Sequence, residues 1–130
     1  MKNCKFRGIS LDTGKMVYGY GVIQLPPELG GDAVIIRRGQ GTLNFHEPVN
    51  PATVGQFTGK ADCKGADVYD GDIIEFDRRE WGGNDNIHVV KWDERDAEWS
   101  FGGGCTHGDM EWRTVIGNIH ENPELITQNA

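Results

Sequence analysis

Apolar and polar residues alternate along this chain in short runs, separated by clusters of glycine, proline, asparagine and aspartate. Alternation with a period of two is typical of half-buried strands, and such clusters are typical of turns. The runs predict strands at residues 5–10, 16–23, 33–37, 39–46, 54–58, 73–76, 87–92, 97–101 and 112–119. No stretch of ten residues has an amphipathic helical pattern. The pattern therefore predicts a mainly-β protein, with single helical turns at the two Asn-Pro pairs, 50–51 and 122–123.

The predicted strand at 16–23 alternates aromatic residues with glycines. Tyr18 and Tyr20 share one face, because side chains two positions apart point the same way along a strand. Gly19 and Gly21 lie on the opposite face, where the missing side chain leaves room for a neighbouring backbone to approach.

The predicted strands at 87–92 and 97–101 form a hairpin around the polar turn at 93–96. The alternation places Trp92 on one face of the first strand and Trp99 on the matching face of its partner. We expect both tryptophans to be part of the core.

The segment Asp70-Gly71-Asp72 places a carboxylate on each side of one glycine. A catalytic pair needs two carboxyl groups that converge on a substrate and have well-separated pKa values. A glycine between them instead favours a bend, and an aspartate at the mouth of a strand can accept backbone N–H bonds that hold a turn. We therefore predict that this segment leads into the strand at 73–76 and is not catalytic.

Composition adds an acidic balance and a high glycine content. The chain has 19 glycines in 130 residues and a formal net charge of −7. The glycines suit many short strands joined by tight turns. A negative charge opposes binding to a phosphate backbone, so nucleic acid is an unlikely partner. Binding through one basic edge, Arg37-Arg38 with Arg78-Arg79, is kept as a third hypothesis.

The cysteines and histidines form no complete disulfide or zinc pattern. Cys4, Cys63 and Cys105 are an odd number at wide spacing, which predicts reduced thiols, and no CxxC or HxxxH pair is present. The loop GGGCTHGD contains Cys105, His107 and Asp109, which define the alternative of a small metal-dependent or thiol enzyme. We favour an ordinary loop, with no catalytic residue, no metal site and no cofactor.

The charged loop at 77–86 contains the candidate contact with a partner protein. Arg78 and Arg79 lie close to Trp81, and tryptophan with arginine is the composition of an interaction hot spot. No apolar run approaches the 18 residues of a membrane span, and the first residues, MKNCKFRG, lack the apolar region of a secretion signal. These features predict a cytoplasmic protein without a membrane partner.

Four blocks of sequence follow one another over almost the whole chain: FRGISLDTGKMVYGYG, PVNPATVGQFTGKADCKG, VYDGDIIEF and VIGNIHENPELI. In order and spacing they resemble the YopX-like proteins of bacteriophages and prophages. The resemblance implies an SH3-type small β-barrel in the C-terminal part, with the N-terminal strands packed on it or swapped around it, and a setting in the bacterial host cytoplasm. It implies no catalytic residues. The predicted segments are 1–53, β-rich; 54–126, the barrel domain; and 127–130, a frayed tail.

These observations favour a non-enzymatic protein-interaction module, encoded by a phage or prophage, whose partner is an unknown host or phage protein. Open strand edges in a small β protein are also compatible with a homo-oligomer.

Overall fold

The computed structural model describes residues 4–38, 44–76, 87–101 and 112–127. Their strands are β1 (Phe6–Ile9), β2 (Met16–Gly19), β3 (Gly21–Gln24), β4 (Ala33–Arg38), β5 (Asn44–Val49), β6 (Gly55–Ala61), β7 (Asp67–Tyr69), β8 (Asp72–Phe76), β9 (Ile87–Val89), β10 (Lys91–Asp93), β11 (Glu98–Ser100) and β12 (Arg113–Asn118). The described residues also contain two 3₁₀ turns, Pro27–Leu29 and Pro51–Thr53, and one helical turn, α1 (Glu124–Thr127). The prediction of a mainly-β protein is confirmed.

The chain divides into two compact units, Met1–Phe57 and Thr58–Ala130. In the first unit, β3, β4 and β5 form an antiparallel sheet with β4 in the centre. Strand β1 pairs with β2 on one side and with the first residues of β6 on the other. The buried core consists of Ala33, Ile35 and Val49, and the partly buried side chains packed against it are Phe6, Val17, Val22 and Val54.

The prediction of one strand at 16–23 is wrong in one respect. The segment forms two strands, β2 and β3, which are separated by Tyr20. The Tyr20 N–H donates to the carbonyl of Ile36 at 3.0 Å, so the chain leaves β1 at this residue and continues along β4 as β3. The close approach depends on Gly19, since a Cβ at that position would overlap the Ile36 carbonyl oxygen. The predicted use of glycine for backbone approach is therefore confirmed at Gly19.

The first predicted helical turn is confirmed at Pro51–Thr53. The Asn50 side chain accepts the N–H of Ala52 at 3.0 Å, which caps the turn as expected for an Asn-Pro start. Thr53 then donates its hydroxyl to the Asn50 carbonyl at 2.6 Å and accepts the N–H of Ile9 at 2.9 Å. The turn is thereby bonded to the end of β1.

In the second unit, β8 lies between β9 and β12 in an antiparallel sheet, and β10 and β11 form a separate hairpin. The later residues of β6 lie beside β7, where the Thr58 hydroxyl donates to the Val68 carbonyl at 2.8 Å. The buried core is Val68, Ile74, Val90 and Phe101, with Trp99 and Val115 packed against it.

The strand predicted at 87–92 is also divided, at Val90. The Val90 N–H donates to the Asp72 carbonyl at 2.8 Å, and the Val90 carbonyl accepts the N–H of Gly71 at 2.9 Å. Strand β9 therefore pairs with β8, whereas β10 turns away to pair with β11.

The second Asn-Pro pair also precedes a helical turn, α1, as predicted. Here the Asn122 side chain accepts the N–H of Asn118 at 3.2 Å and so bonds to the end of β12. The SH3-type closure of the barrel and the segments 1–53, 54–126 and 127–130 stay predictions.

Candidate functional site

The aspartates at 70 and 72 are part of a turn, as the sequence predicts. Residues Asp70 and Gly71 connect β7 to β8, and Gly71 has a φ of 89°, in the region that favours glycine. Asp72 is buried, and its carboxylate accepts the N–H of Tyr69 at 2.7 Å across the turn. The Gly71 carbonyl accepts the N–H of Ile119 at 2.9 Å. The segment therefore joins three parts of the second unit by hydrogen bonds.

Replacing Asp72 with alanine is expected to lower the free energy of unfolding by about 2 kcal/mol, because a buried N–H loses a charged acceptor. Asp96→Ala is the matched control, since Asp96 is an exposed aspartate of the same unit and its loss should cost less than about 0.5 kcal/mol. Urea denaturation of both variants measures the difference. Equal losses would show that Asp72 does not hold the turn.

The hairpin formed by β10 and β11 presents a tryptophan pair at the surface. Trp92 lies directly opposite Trp99, with ring centroids 5.2 Å apart and planes at 73°, an edge-to-face arrangement. Trp99 packs against the core, but Trp92 is 48% exposed. The prediction that both tryptophans belong to the core is therefore wrong for Trp92. The physical reason is that β10 and β11 form a two-stranded sheet, so no third strand of the described part of the chain pairs with this hairpin and covers the outer part of Trp92.

A groove of about 250 Å³ lies along this pair. Trp92, Trp99 and Phe101 supply its aromatic wall, and Thr58 and Lys60 of β6 also line it. The groove is therefore lined by aromatic side chains together with a few polar groups, which is the usual composition of a binding site.

The hairpin around the groove is acidic. Residues 91–98 contain four acidic side chains and two basic ones, and the second unit as a whole has 16 acidic and 7 basic residues, a formal charge of −9. Asp93 holds the turn, because its carboxylate accepts the N–H groups of Arg95 at 3.0 Å and Asp96 at 3.3 Å. The carboxylates of Glu94, Asp96 and Glu98 have no hydrogen bond or ion pair within the described part of the chain.

A signal for the exposure of Trp92 was present in the sequence. The predicted polar turn at 93–96 follows it directly, so the apolar run of this strand ends at Trp92.

The residues predicted for other sites lie outside the described residues. This applies to the candidate partner contact, Arg78, Arg79 and Trp81, and to the alternative catalytic group, Cys105, His107 and Asp109. Cys4 and Cys63 form no disulfide bond among the described residues, and Cys63 is exposed with its sulfur 3.3 Å from the Thr114 hydroxyl.

Within residues 4–38, 44–76, 87–101 and 112–127, no three His, Cys, Asp or Glu side chains are grouped so that they could hold a metal ion. The helices of the described part are all too short or too polar to cross a membrane.

The fold and the groove define a class: a small mainly-β protein of two compact units with an aromatic groove on an acidic hairpin. The family model of the YopX protein matches residues 5–127, so the chain belongs to the YopX family. It is also similar to the crystal structure of protein EF1440 from Enterococcus faecalis, with 23% identity, a TM-score of 0.56 and coverage of 94% of this chain and 96% of that one. That likeness concerns the fold alone. No curated protein matches the chain.

Proposed function

We propose that this protein is a non-enzymatic interaction module, encoded by a phage or prophage and acting in the bacterial host cytoplasm, which binds a basic segment of a host or phage protein. Membership of the YopX family supports a role in the bacterial host cytoplasm, because the resemblance to YopX-like proteins implies an origin in a phage or prophage. The site of contact in this proposal is the groove along Trp92 and Trp99.

The observation that carries the proposal is the exposure of Trp92. Tryptophan is the residue most enriched in binding hot spots, and burying its free face contributes more than burying any other side chain. Trp99 holds Trp92 edge to face at 5.2 Å, so little side-chain freedom is lost when a partner docks. The groove therefore offers a preorganised aromatic anchor.

The charge of the hairpin selects the chemistry of the partner. A lysine or arginine placed over the face of Trp92 would gain a cation–π interaction, and tryptophan is the best ring for it. The carboxylates of Glu94, Asp96 and Glu98 are available to attract the same cation. Lys60, which also lines the groove, would oppose a partner that places a cation beside it, and this restricts the register of a basic peptide.

The test is a titration of the full chain with a synthetic peptide that has arginines separated by glycines, followed through the four tryptophan indole N–H signals by NMR. The signals of Trp92 and Trp99 should shift, and Trp92→Ala should weaken binding about tenfold or more, since loss of a desolvated cation–π contact costs about 2 kcal/mol. Affinity should fall as salt concentration rises, because the charges are exposed.

The matched control is Trp112→Ala, which removes a tryptophan of similar exposure, 43%, from the same unit but outside the groove. The affinity of the Trp112→Ala variant for the arginine peptide should stay within twofold of that of the native protein. A peptide with glutamates in place of the arginines should not bind. The proposal fails if both tryptophan variants lose affinity equally, or if the glutamate peptide binds as well as the arginine peptide.

A further inference from the structure

The first unit contains a second concave site, with the opposite charge. A pocket of about 410 Å³ is lined by Tyr18 and Tyr20 next to β2, by Lys5, and by Arg38 and Asn44 at the paired ends of β4 and β5. The volume is within the range of about 300–1,000 Å³ that small-molecule sites occupy. Chain segments that are far apart in sequence thus place two aromatic rings, two cations and an amide around one space.

The two cations are available to a ligand. The Arg37 guanidinium donates to the Glu47 carboxylate at 2.8 Å, so its charge is already paired within the first unit. Arg38, the next residue, is exposed and points to the other face of the sheet, where it lines the pocket. Neither the Arg38 side chain nor that of Lys5 has a hydrogen bond or ion pair within the described residues.

The charge of the chain is divided unevenly between its units. The first unit has six basic and four acidic residues, a formal charge of +2, whereas the second has a charge of −9. The net charge of −7 for the chain therefore conceals a unit whose own formal charge is positive, the sign that favours a phosphate ligand.

The lining chemistry matches a nucleotide. Guanidinium and ammonium groups bind phosphate, and an exposed tyrosine ring stacks on a base. Tyr20 is 47% exposed and Tyr18 is 44% exposed, so both rings retain free surface. The Asn44 side chain offers a donor and an acceptor together, which is the pairing that recognises the edge of a base.

We propose that this pocket binds a nucleoside phosphate, with the phosphate on Arg38 and Lys5 and the base against Tyr20. This site is independent of the groove on the second unit and extends the function beyond protein binding. The ligand is either a free mononucleotide or one nucleotide of a single strand, since both present the same base and phosphate.

The experiment is a calorimetric titration of the full chain at low salt with four probes: AMP, adenosine, inorganic phosphate, and a single-stranded oligonucleotide of eight deoxyadenosines. AMP or the oligonucleotide should bind at least tenfold more tightly than adenosine or phosphate, because base and phosphate are recognised together. Tighter binding of AMP identifies the free nucleotide as the ligand, and tighter binding of the oligonucleotide identifies a single strand.

Arg38→Gln and Tyr20→Ala should each weaken that binding about tenfold, a loss typical of one phosphate contact or one stacked base. Arg95→Gln is the control for charge alone, because Arg95 is an exposed arginine of the second unit, and it should change the affinity less than twofold. Thermal melting confirms that the variants are folded. The proposal is overturned if no probe binds at millimolar concentration, if phosphate or adenosine binds as tightly as the better of AMP and the oligonucleotide, or if Arg95→Gln weakens binding as much as Arg38→Gln.

Discussion

Replacing Gly19 with alanine is expected to lower the free energy of unfolding of the first unit by about 3 kcal/mol, the upper range for overpacking a buried site. A Cβ at this position would overlap the carbonyl oxygen of Ile36 and lie 2.9 Å from its carbonyl carbon. Both are backbone atoms of the central strand β4, which cannot move aside as a side chain could. If the two backbones moved apart to admit the Cβ, the hydrogen bond from the Tyr20 N–H to the same carbonyl would also be lost. Urea denaturation followed by NMR signals of the first unit measures the loss.

The chain contains a matched control two residues away. A Cβ at Gly21 would meet the Ile36 side chain at 3.4 Å, an ordinary van der Waals contact with atoms that can adjust. Gly21→Ala should therefore change the free energy of unfolding by less than about 0.5 kcal/mol. If both glycine variants lose the same stability, the loss at position 19 does not arise from the close approach to β4.

The local chemistry of turns could be predicted from the sequence. In both predicted turns a side chain bonds to the backbone a few residues away. The Asn50 side chain accepts the N–H of Ala52, and the Asp72 carboxylate accepts the N–H of Tyr69. A few consecutive residues are therefore enough to predict each turn. The hairpin was also predicted, although its turn lies at 94–97 and not at 93–96, because Asp93 still pairs with Glu98. Such features depend on contacts within about ten residues.

Features that depend on distant contacts could not be predicted. The breaks at Tyr20 and Val90 occur because a strand exchanges its partner. At Tyr20 the chain gains a partner, Ile36, that is 16 residues away, and after Val90 it leaves the strand of Asp72, which is 18 residues away. Period-two alternation continues through both breaks, so the pattern contains no sign of them. The sequence marks Trp92 only as the last apolar position before a polar turn. Its exposure also requires that β10 leaves the sheet of β8 and β9 at the second break.

The proposed nucleotide pocket of the first unit also depends on contacts between residues that are distant in sequence. Arg37-Arg38 was recognised as a basic cluster, but the sequence does not show that Glu47 occupies one arginine and leaves the other facing two tyrosines from a different strand pair. Nor does the net charge show how charge is shared, because that requires the division at Phe57 and Thr58. The two candidate sites therefore differ in charge in a way that only the fold makes visible: an acidic groove suited to a cation, and a basic pocket suited to an anion.

Asp62 is a further residue whose role comes from distant contacts, and its replacement by alanine is expected to cost about 3 kcal/mol of the free energy of unfolding of the second unit. Its carboxylate is buried and accepts three backbone N–H groups: Lys64 at 2.9 Å, Ala66 at 2.8 Å and Val115 at 2.9 Å. The first two shape the turn after β6. The third joins that turn to β12, which is 53 residues further along the chain.

Asparagine at this position separates the two effects. Asp62→Asn keeps one carbonyl oxygen for the turn, but its NH₂ group would face the N–H of Val115, and two donors repel. We expect an intermediate loss of about 1–2 kcal/mol, together with faster hydrogen exchange of the Val115 amide. If that exchange is unchanged in both variants, the bond to Val115 does not hold β12.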